Sequence, residues 1–148
     1  MTIRVRPVAR QDAAAWLRMR QALWPEYENG WHAKEIDAFL DGRLKMPLAV
    51  LVAVDDADRP IGFVELFIRP YAEHCETDRV AYLEGWYVEP EFRRKGVGRA
   101  LITAIRDWAG RRGLRAITLE TGAANEPARA FYAALGFAEE DVRLTLRL

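Results

Sequence analysis

The sequence has one cysteine, no internal repeat and no long hydrophobic run. A lone Cys75 excludes an intrachain disulfide framework and favours a reducing cytoplasm. No stretch approaches the roughly 18 to 20 apolar residues of a membrane span. The basic residues between Met1 and Arg6 precede no apolar region, so a signal peptide is not expected. We therefore expect a cytoplasmic protein that forms one domain over residues 1–148 and has no membrane partner.

An excess of charge is also missing, because 22 basic and 22 acidic residues cancel. Neither a nucleic-acid partner nor a metal is expected, since no ligand cluster accompanies the two histidines. The charges are nevertheless unevenly distributed. Residues 55–91 carry ten acidic and three basic side chains, whereas residues 92–115 carry eight basic and one acidic. This pattern suits a cationic substrate beside an anionic cofactor, although solvated surfaces would also produce it.

Hydrophobic patterning predicts an α/β (α+β) fold, with a mixed central sheet and helices packed against it. The element order is β-α-α-β-β-β-α-β-α-β-β, which gives six to seven strands and about four helices. The expected segments are 3–7, 12–25, 31–44, 48–54, 61–68, 80–88, 97–108, 115–121, 126–135, a β segment from 137 and a closing strand at 142–148.

The segment from Val88 to Gly98 joins a strand to a helix within a few residues. Its glycines let the backbone approach a ligand, and its amides and the positive end of the helix dipole form a phosphate site. The segment lacks a Walker lysine and a strict G-x-G-x-x-G, so neither a nucleoside triphosphatase nor a dinucleotide fold is favoured. An ordinary basic helix cap remains the alternative. The cations of the segment are Arg93, Arg94, Lys95 and Arg99.

Arg93-x-x-Gly96-x-Gly98 after Pro90 resembles the acyl-CoA-binding motif of the GNAT superfamily of N-acetyltransferases. A second motif, Asn125 followed by Ala130 to Phe137, resembles that family at the matching separation. The resemblance covers the whole chain and implies the GNAT fold, with acetyl-CoA as cosubstrate. It implies cofactor contacts from Trp86, Tyr87, Val88, Arg93, Arg94, Lys95, Gly96, Val97, Gly98, Arg99, Asn125 and Tyr132.

Two residues of the second motif have further implied roles. Asn125 would contact the pantetheine arm, although helix capping also explains an asparagine there. Tyr132 would lie near the CoA sulfur and protonate the leaving thiolate, since a phenol with a pKa of about 10 is protonated at neutral pH. Alternatively, Tyr132 could be a half-buried residue that only packs against its neighbours.

The acceptor half resembles the aminoglycoside 6′-N-acetyltransferases. The matching stretches are Leu17 to Pro25, Gly62 to Tyr71 and Val80 to Pro90. The resemblance implies a cationic small-molecule substrate, with the 6′-amine of aminoglycosides as the expected acceptor. The sequence departs from that pattern at Leu119 to Gly122, at Phe131-Tyr132 and in the final strand. Another amine (a polyamine, an amino acid or a protein N-terminus) therefore stays open, as does a non-catalytic CoA-sensing module.

The reaction requires a proton acceptor, because an ammonium cannot attack a thioester. Glu84, in the strand before the loop, is the first candidate, and Glu120, at the end of the following strand, is the second. Each has an alternative without a catalytic role: Glu84 could be paired with an arginine, and Glu120 could be an exposed carboxylate at a strand end. A bulge at Gly85-Trp86 is expected to splay the strands so that the pantetheine arm inserts between them. The expected substrate contacts are Trp24, Glu26, Tyr71, Glu84 and Glu120.

The closing segment, 142–148, alternates apolar and polar residues. Such a strand pairs either within its own chain or with a second copy, and an exposed edge favours pairing. We therefore expect a homodimer.

Overall fold

The computed structural model describes residues 1–44, 47, 49–69 and 79–148. In this part of the chain, one five-stranded sheet is flanked by four α-helices. The strands are β1 (Arg4–Pro7), β2 (Ala49–Val54), β3 (Pro60–Arg69), β4 (Val80–Val88) and β5 (Ile117–Leu119). The helices are α1 (Ala13–Leu23), α2 (Asn29–Leu40), α3 (Val97–Arg111) and α4 (Glu126–Ala134). Short 3₁₀ turns lie at Arg10–Asp12 and Pro90–Phe92.

The strands lie in the sheet in chain order. Neighbours from β1 to β4 are antiparallel, whereas β4 and β5 are parallel and are joined by a crossover that contains α3. Parallel neighbours end at the same edge of a sheet, which brings the loops after β4 and β5 together. The predicted mixed sheet with helices against it is therefore confirmed.

Each face of the sheet has its own apolar core. On one face α1 and α2 pack, with Trp16, Met19 and Phe63 fully buried. On the other face α3 packs, with Leu101 and Ile105 fully buried. The continuous apolar run of β2 follows from this arrangement, because its alternate side chains enter opposite cores.

The number of strands was predicted wrongly. Five strands lie in the described residues, instead of six to seven, and neither the segment from 137 nor the segment 142–148 forms one. In the second segment, Val142, Leu144 and Leu146 are at least 85% exposed. Alternation makes a segment competent to pair, but a strand forms only where a partner supplies the other half of the ladder.

The N-cap residue of α1 is Asp12. No side-chain cap bond forms there. Instead, the buried Asp12 carboxylate accepts hydrogen bonds from the amide of Ala9 at 2.8 Å and from the Arg6 guanidinium at 2.7 Å. The carboxylate therefore ties the helix start to β1. Among the described residues, no helix is long and apolar enough to cross a membrane.

Candidate active site

The pairing of β3 with β4 contains a bulge next to the point where β4 and β5 part. Glu65 lies opposite Gly85, whereas its neighbour Leu66 lies opposite Leu83, so Glu84 is the extra residue. The prediction placed the bulge at Gly85-Trp86, one residue further on. A bulge bends its strand and redirects a side chain. Here the redirected side chain is that of Glu84, which is exposed between the buried Leu83 and Gly85.

The paired part of β4 and β5 ends at Leu83 and Leu119. Glu84 and Glu120 are the next residues after these two, one following each strand's paired part. They therefore stand at the same level of the opening between β4 and the chain that follows β5. Beyond this level β4 is paired with β3 only, in the part of the chain that the structure describes. The opening therefore contains both carboxylates and a stretch of β4 backbone that is paired on one side among the described residues. Such an opening beyond the paired ends of parallel strands is where ligands commonly bind.

The two carboxylates differ in their partners. The structure gives Glu84 no hydrogen bond or ion pair with any other described residue. Glu120 is paired with Arg143 at 3.0 Å and lies 3.8 Å from Arg69. The Arg69 guanidinium also stacks on the Tyr82 ring, 3.4 Å from its centroid. Among the described residues, Glu84 thus has no competing partner, whereas Glu120 already shares its charge with two arginines.

The loop after β4 has the backbone of an anion site. Arg94 and Gly96 both have positive φ, 61° and 89°. Gly96 is the N-cap of the 15-residue helix α3. The first amides of any α-helix have no intrahelical acceptor, so those of Val97, Gly98 and Arg99 face the loop together with the positive end of the dipole. The predicted phosphate site depends on these two features, residues with positive φ and a helix start.

The four loop cations have different positions. Arg93 is the structural one, because its Nε donates to the Val88 carbonyl oxygen at 2.9 Å and its guanidinium lies 5.5 Å from the Tyr87 ring centroid. Arg94, Lys95 and Arg99 are exposed around the helix start. These three side chains can reach phosphates from different sides, which is the arrangement that a polyanionic cofactor needs.

The two loop glycines serve different purposes. Gly96 needs its left-handed backbone conformation, and a Cβ there would meet nothing within 4 Å. Gly98 lies under the Phe131 ring, and a Cβ would be 2.4 Å from the ring's Cζ. The absence of a side chain at Gly98 therefore allows α4 to pack on the start of α3.

Aromatic rings connect β4 with α4. The Trp86 ring lies 5.4 Å from Phe131 and 5.6 Å from Tyr132, and Tyr132 lies 5.7 Å from Phe137. Burial raises the pKa of the Tyr132 hydroxyl above its usual value of 10, so the phenol keeps its proton at neutral pH. The structure thus places a protonated hydroxyl beside β4, just beyond the bulge.

Asn125 is the N-cap of α4, which is the helix-capping role that the sequence offered beside a contact with the pantetheine arm. Its Oδ1 accepts a hydrogen bond from the amide of Ala128 at 3.3 Å. The Nδ2 group is not used by this cap, and it has two donors. Capping and cofactor binding are therefore compatible at this exposed position.

The sequence matches the model of the Acetyltransferase (GNAT) family over residues 16–137. The chain belongs to the GNAT acetyltransferase family. It is 47% identical to the aminoglycoside N(6′)-acetyltransferase type 1 of Klebsiella aerogenes, over 91% of this chain and 89% of that protein. It is 31% identical to the protein of the same name from Stenotrophomonas maltophilia, over 93% and 87%. The resemblance predicted from the two motifs is confirmed.

Solved structures agree. A structure of AAC(6′)-Iy in complex with the bisubstrate analogue CoA-S-monomethyl-acetylneamine has a TM-score of 0.87 and 29% identity, and the match covers 100% of this chain and 99% of that one. The aminoglycoside 6′-N-acetyltransferase AAC(6′)-Ih of Acinetobacter baumannii has a TM-score of 0.86 and 27% identity, over 99% and 98%. The five strands and four helices described above are thus a GNAT fold.

Two of the predicted acceptor contacts of this GNAT domain, Trp24 and Glu26, follow the end of α1. Trp24 is half-buried, with its ring 6.5 Å from that of Phe63 and against Gly85, where a Cβ would be 2.6 Å from the ring. Glu26 is exposed in the turn that follows. Tyr71 lies outside the described residues. Trp24 therefore forms a wall beside the bulge, next to Glu84.

Two residues with a part in this region were missed. Arg20 and Glu65 are buried, and the Arg20 Nε lies 3.1 Å from a carboxylate oxygen of Glu65. The alternation of β3 contained the signal, because Glu65 falls on the same face as Phe63 and a charged residue on an inward face needs a partner. In the described ranges, no group of three or more histidine, cysteine or acidic side chains is placed to hold a metal.

Proposed function

We propose that this GNAT protein is an acetyl-CoA-dependent aminoglycoside 6′-N-acetyltransferase. Two relatives from Klebsiella aerogenes and Stenotrophomonas maltophilia bear that name, and AAC(6′)-Iy has been solved with a CoA–acetylneamine analogue. The observation that carries the proposal is the position of Glu84. Its carboxylate, which has no hydrogen bond or ion pair with another described residue, stands where β4 and β5 part, next to Gly85, which the Trp24 ring covers.

The loop amides from Arg94 to Arg99 would hold the pyrophosphate of acetyl-CoA. The pantetheine arm would then enter the opening between β4 and β5, where the free side of β4 can pair with its amides as an added strand would. The arm would pass the start of α4, where the Nδ2 group of Asn125 is not used by the helix cap and can donate hydrogen bonds. This path ends at the level of Glu84, Trp86 and Tyr132.

The reaction is a direct transfer without an acyl-enzyme. Glu84 takes a proton from the acceptor ammonium, directly or through a water molecule, and the freed lone pair attacks the thioester carbon. A backbone amide of β4 near Val88 stabilises the oxyanion. The carbon–sulfur bond then breaks, and the thiolate takes a proton from Tyr132. The amide nitrogen loses its remaining extra proton to solvent, so the products are the N-acetyl amine and CoA.

The test is steady-state release of CoA thiol from acetyl-CoA. The acceptors are kanamycin, tobramycin, spermidine and a peptide panel, together with an aminoglycoside that has a hydroxyl in place of the 6′-amine. We expect release with the 6′-amines and none with the hydroxyl analogue. Release only with spermidine or a peptide would contradict the aminoglycoside assignment. Binding of acetyl-CoA without release from any acceptor would instead indicate a CoA-sensing module.

We further propose that the protein works as a homodimer in the cytoplasm. Acetyl-CoA and a sequence with a single cysteine suit a reducing compartment. Two features support pairing with a second copy: the exposed apolar side chains of 142–148, and the outer edge of β5, which pairs with no other strand of the described residues.

Sedimentation velocity tests the homodimer. The wild type is expected to sediment as a dimer at micromolar concentration, and Leu144→Ser with Leu146→Ser as a monomer, because the variant removes two apolar contacts. The matched control is Thr145→Ser with Arg147→Ser, on the other side of the same segment, and it should remain dimeric. A wild-type monomer, or two variants with equal behaviour, would contradict the proposal.

A further inference from the structure

A buried charge cluster lies directly behind the bulge and has no part in the reaction steps above. Its members are Arg20 of α1, Glu35 of α2 and Glu65 of β3. The Arg20 Nε lies 3.1 Å from a Glu65 carboxylate oxygen, and the Arg20 Nη2 donates to Glu35 at 2.8 Å. Arg20 is 4% exposed and Glu65 is 2% exposed. Removing charges from water is costly, so an ion pair this deep needs close partners or a task.

Three tryptophan rings enclose the guanidinium. Its Cζ lies 5.9 Å from the centroid of Trp16, 5.1 Å from Trp24 and 5.4 Å from Trp31. Arginine stacks favourably on aromatic faces, which replaces part of the hydration that it has lost. Among the described residues, the buried Arg20 Nη1 has no hydrogen-bond partner. The guanidinium therefore lies among rings and carboxylates, and one of these rings is that of Trp24.

The cluster reaches the acceptor side along two paths. Through the sheet, Glu65 lies opposite Gly85, the residue that follows Glu84. Through the helix, Arg20 packs on Trp24, whose ring covers Gly85 so closely that a Cβ there would lie 2.6 Å from it. Both paths end on the backbone that sets the direction of Glu84.

We propose that Arg20 and Glu65 are positioning residues for the acceptor, which hold Trp24 and the Glu84 bulge and add the negative charge of Glu65 to the field that a cationic acceptor meets. The proposal rests on the proposed function. Neither residue is expected to touch the acceptor, because both are buried. Their effect should therefore appear in acceptor binding and its pH dependence, and not in the binding of acetyl-CoA.

The protonation of Glu65 gives this role a signature. Burial raises the pKa of Glu65 to about 7, while Arg20 lowers it and the charges of Glu35 and Glu84 add to the rise. The groups around Glu65 are Arg20 and the Trp16 indole from α1, Glu35 from α2 and Glu84 from β4. His32 of α2 lies against the Trp24 and Trp31 rings that surround Arg20. A bound cation favours the ionised carboxylate, and the linkage is reciprocal. Ionisation of Glu65 should thus strengthen acceptor binding as the pH rises through about 7.

The experiment compares the kanamycin KM of Glu65→Gln with that of the wild type across pH. The ratio cancels the titration of the acceptor's own amines. We expect a ratio near one at about pH 5.5, where the wild-type Glu65 is protonated, and about tenfold at about pH 8.5, where it is charged. The KM for acetyl-CoA should change less than about twofold at either pH, because the pyrophosphate cradle is on the other side of the bulge.

The matched control is Asp12→Asn. Asp12 is also a buried carboxylate that forms an ion pair with an arginine. Its partner is Arg6, and Asp12 lies at the opposite end of α1 from Trp24. The Asp12→Asn variant should be less stable than the wild type, and its kanamycin KM should equal that of the wild type at every pH. If Glu65→Gln behaves as Asp12→Asn does, Glu65 is merely structural and the inference is overturned. If the wild type acetylates no aminoglycoside at all, the proposed function fails first, and the inference fails with it.

A second variant decides the matter if Glu65→Gln does not fold. Glu35 is partly exposed and raises the pKa of Glu65, so Glu35→Gln should fold and should move the midpoint of the KM–pH profile to lower pH. An unmoved midpoint would overturn the inference. A profile shifted downward, with the acetyl-CoA KM unchanged, would support it.

Discussion

Replacing Glu84 with glutamine is expected to lower kcat for acetyl transfer to a 6′-amine by about a hundredfold or more, the usual contribution of a general base. The amide keeps the shape of the side chain but cannot accept the ammonium proton. Because Glu84 is exposed and unpaired among the described residues, the fold should tolerate the change, and the melting temperature should stay within a few degrees. The remaining activity should rise with pH, since solvent then deprotonates the amine without help. The measurement is kcat by thiol release between about pH 6 and about pH 10.

Glu120→Gln is the matched comparison for Glu84. The Glu120 carboxylate already contacts Arg143 and Arg69, so it is less available to the acceptor ammonium. We expect its loss to cost less than about tenfold in kcat and to appear mainly in the acceptor KM. A larger fall in kcat for Glu120→Gln than for Glu84→Gln would exchange the roles of the two carboxylates.

Replacing Gly98 with alanine is expected to impair acetyl-CoA binding strongly, although it adds only one methyl group. The new Cβ would lie 2.4 Å from Cζ of Phe131, so the ring and the helix that carries it must shift. That helix, α4, also carries Tyr132 and begins at Asn125, the two residues expected along the pantetheine path. Overpacking of this kind costs about 1–3 kcal/mol in stability. We also expect the acetyl-CoA KM to rise by about tenfold or more, equivalent to about 1.4 kcal/mol of binding free energy, because a shifted α4 moves Asn125 and Tyr132.

Two further variants separate crowding from other causes. Gly110→Ala adds the same methyl group to the same helix, where nothing lies within 4 Å, and should be neutral or slightly stabilising. Gly98→Ala with Phe131→Leu removes the colliding ring atoms and should recover most of the lost acetyl-CoA binding and stability. If the double variant recovers neither, then Gly98 is needed for close approach of the cofactor itself.

The sequence was most informative where one local pattern decides the structure. The bounds of β4 were predicted correctly because an apolar run ends at Pro90, which cannot continue the ladder. The stripe of Val97, Leu101 and Ile105 predicted α3 because one buried face is enough to specify a helix. The strand–loop–helix junction of the expected phosphate site could be predicted for the same reason, since glycines, cations and a helix start lie in one short segment.

The predictions failed where the structure depends on distant partners. The closing strand was wrong because 142–148 can pair in more than one way, and alternation does not choose the partner. The bulge was placed one residue late because its position depends on the packing of Trp24 against Gly85. The role of Glu65 was missed because its partner, Arg20, is 45 positions away in the sequence and meets it only when α1 packs on the sheet.

The most direct test of the central claim is the position of the new acetyl group. The wild-type protein is incubated with acetyl-CoA and kanamycin, and the product is analysed by two-dimensional NMR. If Glu84 and the opening between β4 and β5 form the acceptor site of an aminoglycoside 6′-N-acetyltransferase, a single acetyl group should be found on the 6′-nitrogen, and Glu84→Gln should yield almost none. Acetylation at another amine, or equal yields from the wild type and Glu84→Gln, would contradict the account.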